Sequence, residues 1–254
     1  MPTESPVLNA GYAVTSEFER THWWFRSRRD AVFAQADKAV RELGRKTKLR
    51  IMDFGCGTGF NLDLLEKYGD VVGADRYVDK VGEFPEVKKR TLLDLNGDVS
   101  SHLGRYDLVT ALDVLEHTED DVKALKLIAD FLKKDGRLIL TVPAYDWLWS
   151  GEDEISQHKR RYTRTRLLAA VEKTDFDVLF MSYFNFAILP AMAAVISWKK
   201  LTDSDWRSKS GVGPTPRFIN ELLAAVTGLE NRLVGNEIIS VPAGASLICR
   251  LRKK

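Results

Sequence analysis

The chain has 254 residues, 44% hydrophobic and 29% charged, with 38 Lys and Arg against 36 Asp and Glu for a net charge of +2. These values exclude a collagen-like or wholly disordered chain and allow one large domain, or one domain with additions. So even a charge balance is not that of a protein built globally to grip DNA, RNA or an anionic membrane, and the two cysteines, Cys56 and Cys249, cannot make a disulfide framework.

In chain order, residues 1–15 are expected to be a flexible tail. They lack the basic and apolar regions of a signal peptide, so the expected compartment is the cytoplasm. Residues 16–44 read as a helical arm ending near Gly44, and the arm carries the dense cluster His22-Trp23-Trp24-Phe25. Strand and helix then alternate. Strands are expected at 49–54, 70–74, 88–93, 106–112 and 136–142, with helices at 61–68 and about 119–133. A loop rich in Trp and charge follows, then a helix at about 164–173 and a strand at about 176–183. Two apolar helical stretches occupy 185–243, and a last strand covers 244–252. This rhythm predicts an α/β protein with a parallel sheet covered on both faces. Three parts are expected: an arm or lid at 1–44, a core at 45–184 and 244–254, and a helical insertion at 185–243.

The strongest motif is Asp53-Phe54-Gly55-Cys56-Gly57-Thr58-Gly59, between a strand and a helix. Glycines there allow a tight turn and bring backbone N–H groups against a ligand. Asp75 ends the next strand, where an acid can accept both hydroxyls of a ribose. A dinucleotide fingerprint would need Gly or Ala at position 60, which is Phe60. That departure disfavours a nicotinamide cofactor.

The loop resembles the first motif of class I S-adenosylmethionine (SAM)-dependent methyltransferases. The resemblance continues through Leu93-Asp94-Leu95, Tyr106–His117 and Leu132–Leu138, covering about residues 49–184 and the last strand. It implies a Rossmann-like seven-stranded mixed sheet of order 3-2-1-4-5-7-6, with the seventh strand antiparallel. It further implies SAM as cofactor, S-adenosylhomocysteine as product, and roles by position. Gly55, Cys56, Gly57 and Gly59 shape the methionine side, and Asp53 lies near the amino group. Asp75 and Arg76 meet the ribose, Asp94 and Leu95 flank the adenine, and Asp113 and Val114 lie beside the sulfonium.

The acceptor side lacks the Asn/Asp-Pro-Pro-aromatic motif of amino-methylating DNA enzymes and the Pro-Cys nucleophile of carbon-5 methylation, so DNA is disfavoured. His117, His158 and Tyr162 are the candidate catalytic groups. His22, Trp23 and Trp24, together with Arg160 and Arg161, are the candidate substrate contacts. The two segments that hold these contacts resemble a bacterial methyltransferase subgroup associated with small molecules and glycans, in which they meet over the cleft. Arg160 and Arg161 can either pair a substrate phosphate or carboxylate, or form internal ion pairs with nearby acids. Asp113, Glu116, His117 and His158 form a conceivable divalent-cation set. That set is the less favoured reading, and no metal ligands are assigned. The uncharged run Tyr183–Trp198, followed by Lys199 and Lys200, suits a cap over the cleft, a homodimer contact or a peripheral membrane contact. The expected activity is methyl transfer to a small-molecule, sugar or lipid-linked acceptor at oxygen. The alternatives are an RNA-directed enzyme and a non-catalytic SAM-binding module.

Overall fold

A computed structural model describes residues 16–44, 48–84, 87, 88, 90–211 and 213–254. The expected N-terminal tail at 1–15 lies outside the described residues. Among the described residues, β1 (Leu49–Phe54) is flanked by two parallel partners, β2 (Gly69–Asp75) and β4 (Tyr106–Leu112). Strands covered on both faces read as apolar runs, and Ile51, Met52, Leu108 and Val109 are fully buried. β3 (Leu92–Asp94) extends one edge beside β2. β5 (Leu132–Pro143) pairs with β4, and β7 (Ser246–Lys253) runs antiparallel between β5 and β6 (Phe176–Phe184). The order β3-β2-β1-β4-β5-β7-β6 agrees with the family expectation.

Three boundaries differ from the sequence reading. β3 starts at Leu92 rather than 88, and only three residues pair with β2. β5 starts at Leu132, so the preceding helix α4 (Asp121–Phe131) stops earlier than expected. The early part of β5 is irregular, with a register shift opposite Tyr106 and Leu108 and Asp135 in the left-handed region at φ 61°. The arm's long helix, α1 (Trp23–Leu43), starts at Trp23 rather than 16 because the His22 ring caps it, Nδ1 accepting from the Trp24 amide at 3.3 Å.

The other helices are α2 (Phe60–Leu65), α3 (Val78–Val81), α5 (Gly151–Ile155), α6 (Arg164–Val171), α7 (Leu189–Thr202) and α8 (Arg217–Gly235). α4 and α6 pack on one face of the sheet through Leu125, Ile128, Leu167 and Val171. α1 covers the other face, with Ala31, Val32, Ala36 and Ala39 against Ile51, Leu108, Ile139 and Ile248. Most of the arm is therefore a layer of the core; its N-terminal end alone overhangs the cleft.

α8 from the insertion lies against α1. At Gly235 an added Cβ would stand 2.7 Å from the Ala34 Cβ and 2.9 Å from the Ala31 carbonyl oxygen, so only glycine permits this approach. Gln35 Nε2 donates to the Gly235 carbonyl at 2.6 Å, and Arg250 on β7 donates to both Gln35 and Glu237. α7 carries Pro190 in its first turn, as read from the sequence. It leaves Trp198 69% and Leu201 84% exposed. No helix among the described residues is long and apolar enough to cross a membrane.

Candidate active site

The carboxyl ends of β1, β2 and β4 open into one cavity of about 1460 Å³. Open α/β sheets bind ligands at this end. On its cofactor side the chain turns at Gly55, Gly57 and Gly59, with φ of 74°, 52° and 79°. At Gly55 a Cβ would meet Val114 Cγ2 at 2.6 Å. The loop thus presses against the residue following β4, and the bare glycine backbone forms the wall. Gly57 donates its amide to Asp75 Oδ2 at 3.1 Å, and Tyr77 donates to Asp75 Oδ1 at 3.0 Å. These bonds fix the Asp75 carboxylate at the cavity wall, while burial raises its pKa.

Gly55, Cys56, Gly57, Asp75, Arg76, Leu95, Asp113 and Val114 all line the cavity. Three other expected cofactor residues stand back from it. Asp53 is buried behind the loop, accepting from Thr110 Oγ1 at 2.6 Å, and burial pushes its pKa up to about 6. Gly59 caps α2, where a Cβ would strike Val87 at 2.1 Å. Asp94 turns its Oδ1 to the Asn96 amide at 2.8 Å, closing an Asx-type turn. The Cys56 thiol is buried and its pKa is driven far up, which makes it packing rather than a nucleophile.

The wall opposite is built by side chains from distant parts of the chain. Trp23, Trp24 and His22 line the cavity together with Glu116, His117 and His158, so the arm and the 150–163 segment meet over one cleft. His22 is also a structural group: besides its capping bond, its Nε2 lies 3.2 Å from Thr215 Oγ1, and burial lowers its pKa. Asn220 on α8 accepts the Trp23 amide at 2.8 Å and so holds the arm in place.

Arg28 of α1 forms an ion pair with Asp113, whose other oxygen accepts from Thr141 Oγ1 at 2.7 Å. Asp113 sits in the left-handed region at φ 55°. Burial alone would raise its pKa, but Arg28 and Thr141 outweigh burial and hold it below the usual carboxylate range. Neither the arginine's partner nor Glu19, whose carboxylate accepts from Thr58 Oγ1 at 2.6 Å, was legible from spacing. The only sign of Arg28 was the cationic run after the aromatic cluster.

The candidate catalytic and substrate residues separate on inspection of the structure. His117 and His158 come together, with ring centroids 4.7 Å apart at 82°. His158 Nδ1 lies 2.8 Å from Asp153 Oδ1, which leaves Nε2 for the cleft. The protein around His117, and then the neighbouring His158, push the His117 pKa down to about 4, so the ring is neutral at physiological pH. Tyr162 departs from its expected catalytic role: it is fully buried outside the cavity, and its hydroxyl donates to Asp121 at 3.0 Å.

Arg160 and Arg161 depart from the expected substrate role as well. Arg160 donates to the Thr118 and Glu119 carbonyls at 2.8 and 2.7 Å. Arg161 makes a buried two-point pair with Asp153, at 2.7 and 2.8 Å. Both adopt the internal pairing that the sequence left open.

Glu116, named from sequence only within the less favoured cation set, stands out in the site. It is fully buried, lines the cavity, and among the described residues has no hydrogen-bond partner for either carboxylate oxygen on another residue. Burial, reinforced by Asp113, holds its pKa well above the usual carboxylate range.

A glycine loop beneath an acid-ended second strand, at the carboxyl edge of a 3-2-1-4-5-7-6 sheet, is the construction of a nucleoside-cofactor transferase. The family described as "Methyltransferase domain" matches residues 25–179. The chain belongs to this family and is a class I SAM-dependent methyltransferase. It is 28% identical over 125 residues to a ubiquinone biosynthesis O-methyltransferase of Bradyrhizobium diazoefficiens, covering 47% of this chain and 49% of that one. A protein of the same name from Saccharophagus degradans is 27% identical over 154 residues, covering 53% and 63%. The chain thus spans roughly half to three-fifths of the length of these relatives.

Among solved structures, the plantazolicin methyltransferase BpumL bound to S-adenosylhomocysteine superposes with a TM-score of 0.57 at 15% identity, over 95% of this chain and 89% of that one. A SAM-dependent methyltransferase of Thermotoga maritima gives 0.53 at 17% identity, over 98% and 100%. At such identities these likenesses speak for the fold alone.

Proposed function

We propose that this methyltransferase acts on an oxygen of a small-molecule, sugar or lipid-linked acceptor. The observation that carries the reading is the continuity of the cavity. It runs from the glycine loop to the His117–His158 pair, and its 1460 Å³ exceeds the ~300–1,000 Å³ of a single ligand site. Cofactor and acceptor can therefore lie end to end inside it. SAM, when bound, supplies a methyl group already activated on a sulfonium. Asp75 and the bare glycine backbone are placed to orient it, and Val114 with the Arg28–Asp113 pair closes the wall near the transfer point.

Positioning accounts for much of the rate in such a displacement. An oxygen nucleophile must also lose a proton, and a neutral imidazole is the side chain suited to accept it. His117 and His158 are the groups so placed. The ubiquinone biosynthesis O-methyltransferases among the relatives act at oxygen by name, which supports the same choice. The α7 face that lines the cavity through Met192 and Ile196, beside Ile188 just before the helix, is apolar and suits a hydrophobic or lipid-linked acceptor. Exposed Val195, Trp198 and Leu201 beside Lys199 and Lys200 suit contact with a membrane surface during that work. An RNA acceptor would use the basic stretch His158–Arg166 as its phosphate contact, and it is disfavoured because two cations of that stretch, Arg160 and Arg161, are held internally.

The test is a methyl-transfer screen with labelled SAM over catechols, hydroxylated quinone precursors, sugars, amines and RNA, beside calorimetric titration with S-adenosylhomocysteine. Binding of S-adenosylhomocysteine with label on hydroxylated acceptors is the expected result. Label on amines or RNA alone overturns the oxygen reading.

A further inference from the structure

The 3₁₀ turn Leu115–His117 and the segment leading to β-bridge residue Tyr162 bring three metal-ligating side chains to one point of the cleft. One donor atom each of Glu116, His117 and His158 lies within 4.8 Å of the others. The backbone locks this meeting: the Lys159 amide donates to the Glu116 carbonyl at 2.7 Å, and the His158 amide to the Asp153 carbonyl at 2.8 Å.

Two observations point to a cation site. Glu116 is 0% exposed, yet among the described residues neither of its oxygens has a partner on another residue. Buried carboxylates are normally hydrogen-bonded or paired, and one left bare calls for an explanation. The nearby acids are already satisfied, Asp113 by Arg28 and Thr141, and Asp153 by Arg161. The second observation is the orientation of the rings. Histidines that bind metal commonly give their other ring nitrogen to a carboxylate or backbone carbonyl. His158 does so with Asp153, which leaves its Nε2 for the cleft.

We propose that Glu116, His117 and His158 form a site for one divalent transition-metal cation, open to the cleft and able to hold an acceptor through two adjacent oxygens. Two imidazoles and one carboxylate suit Mn²⁺, Fe²⁺, Co²⁺ or Zn²⁺. Asp113, the fourth residue of the set weighed from sequence, is excluded by its pair with Arg28. Donor distances of ~2.1 Å require the three side chains to draw together by rotation.

Three protein ligands on one side leave neighbouring positions for a catechol, a vicinal diol or a hydroxyl beside a carbonyl. A dication there lowers the pKa of the acceptor hydroxyl. With both imidazoles on the cation, the cation takes over their part as base: the proton leaves to solvent, the oxygen–methyl bond forms as the sulfur–methyl bond breaks, and that bond's electron pair stays on sulfur. This second half rests on the oxygen-acceptor reading above; the cation site itself does not.

The experiment uses the full chain, purified without a histidine tag and stripped with EDTA. Mn²⁺ is titrated in and followed by electron paramagnetic resonance, with Zn²⁺ as competitor. One Mn²⁺ per chain, displaced by Zn²⁺ and perturbed by added catechol, is expected. Glu116→Gln and His158→Ala each weaken Mn²⁺ binding by about tenfold or more, with melting curves retained and affinity for S-adenosylhomocysteine unchanged. His117→Ala provides a third variant, read against its own melting curve.

A folded chain that binds neither Mn²⁺ nor Zn²⁺ overturns the site, as does binding that all three variants leave unchanged. Full transfer to a hydroxyl in EDTA, with no metal bound, overturns the cation's part in the transfer and leaves the acceptor reading standing. A bound cation with label on amines alone removes the acceptor reading and leaves the site standing.

Discussion

The two walls of the cleft are made of different materials. The cofactor wall is mostly backbone: three left-handed glycines, strand ends and an acid held by amides, all between positions 53 and 95. The acceptor wall is mostly side chains that meet from far apart, such as Arg28 with Asp113 and Trp23 with Asn220, 197 positions away. A wall of backbone tolerates change in most side chains but none in its turns. A wall of ion pairs responds in the opposite way, and substitutions can set the two against each other.

The largest effect is expected from Asp153→Ala. Removing one partner of the buried Asp153–Arg161 pair strands a guanidinium that is 8% exposed, at about 3–5 kcal/mol of stability. Chemical denaturation measures it. The Asp153→Ala, Arg161→Met double variant recovers part of the loss, since two absent charges are cheaper than one.

The same pair sets an acid limit. Burial alone would raise the Asp153 pKa, but the hydrogen bonds from His158 and Arg161 outweigh burial and hold it far below the ordinary range. A carboxylate depressed in the folded state stabilises fully above its unfolded pKa, and that stability is lost as pH falls through the range below it. Melting temperature should therefore decline on acidification below about pH 4 in the wild type, with a shallower decline in the double variant.

Arg28→Ala comes next. It leaves the Asp113 carboxylate without its cation, at about 1–3 kcal/mol. Methyl transfer should fall more than affinity for S-adenosylhomocysteine, because the lost pair belongs to the acceptor wall. An equal fall in both would merge the two walls.

Gly55→Ala tests the other wall. It combines a left-handed strain of ~1–2 kcal/mol with a Cβ 2.6 Å from Val114. Affinity for S-adenosylhomocysteine should drop about tenfold or more by calorimetry. Gly104→Ala supplies the comparison, since Gly104 has φ 63° with nothing within 4 Å of a Cβ. It should cost stability alone and leave binding intact.

The smallest effect is expected from Tyr162→Phe. It deletes one buried hydrogen bond to Asp121, about 1 kcal/mol. Transfer should proceed at the wild-type rate. A large loss in kcat would return Tyr162 to the catalytic group suggested by its place in the His158–Tyr162 stretch.

The difference in materials also explains what the sequence made legible. Gly55, Gly57, Gly59 and Asp75 are local, and their spacing is set by one turn and the next strand, so the loop could be read, while the sheet order followed only from the family resemblance that the loop carries. The boundaries of β3 and β5 could not, because an edge strand of three paired residues and a register shift leave no periodicity. Arg160 and Arg161 read equally well as anion binders or as internal partners; only tertiary placement of Asp153 and the 118–119 carbonyls decides. Arg28 showed only as part of the cationic run after the aromatic cluster, since its partner is 85 positions away. Glu116 had the right neighbours in sequence, yet nothing in a sequence shows that a buried carboxylate lacks partners.

The clasp between α1 and α8 has a consequence for assembly in time. Trp23 is held by Asn220, Ser27 by Asn231 and Gln35 by Gly235, each pairing the first part of the chain with a segment about two hundred positions later. During synthesis α1 emerges long before its partner, and the glycine turn can form without it. Contacts of such separation close late and slowly. The chain should pass through a stage that grips S-adenosylhomocysteine yet leaves the acceptor side open to water. Refolding followed by fluorescence of Trp23 and Trp24 should lag behind recovery of S-adenosylhomocysteine binding.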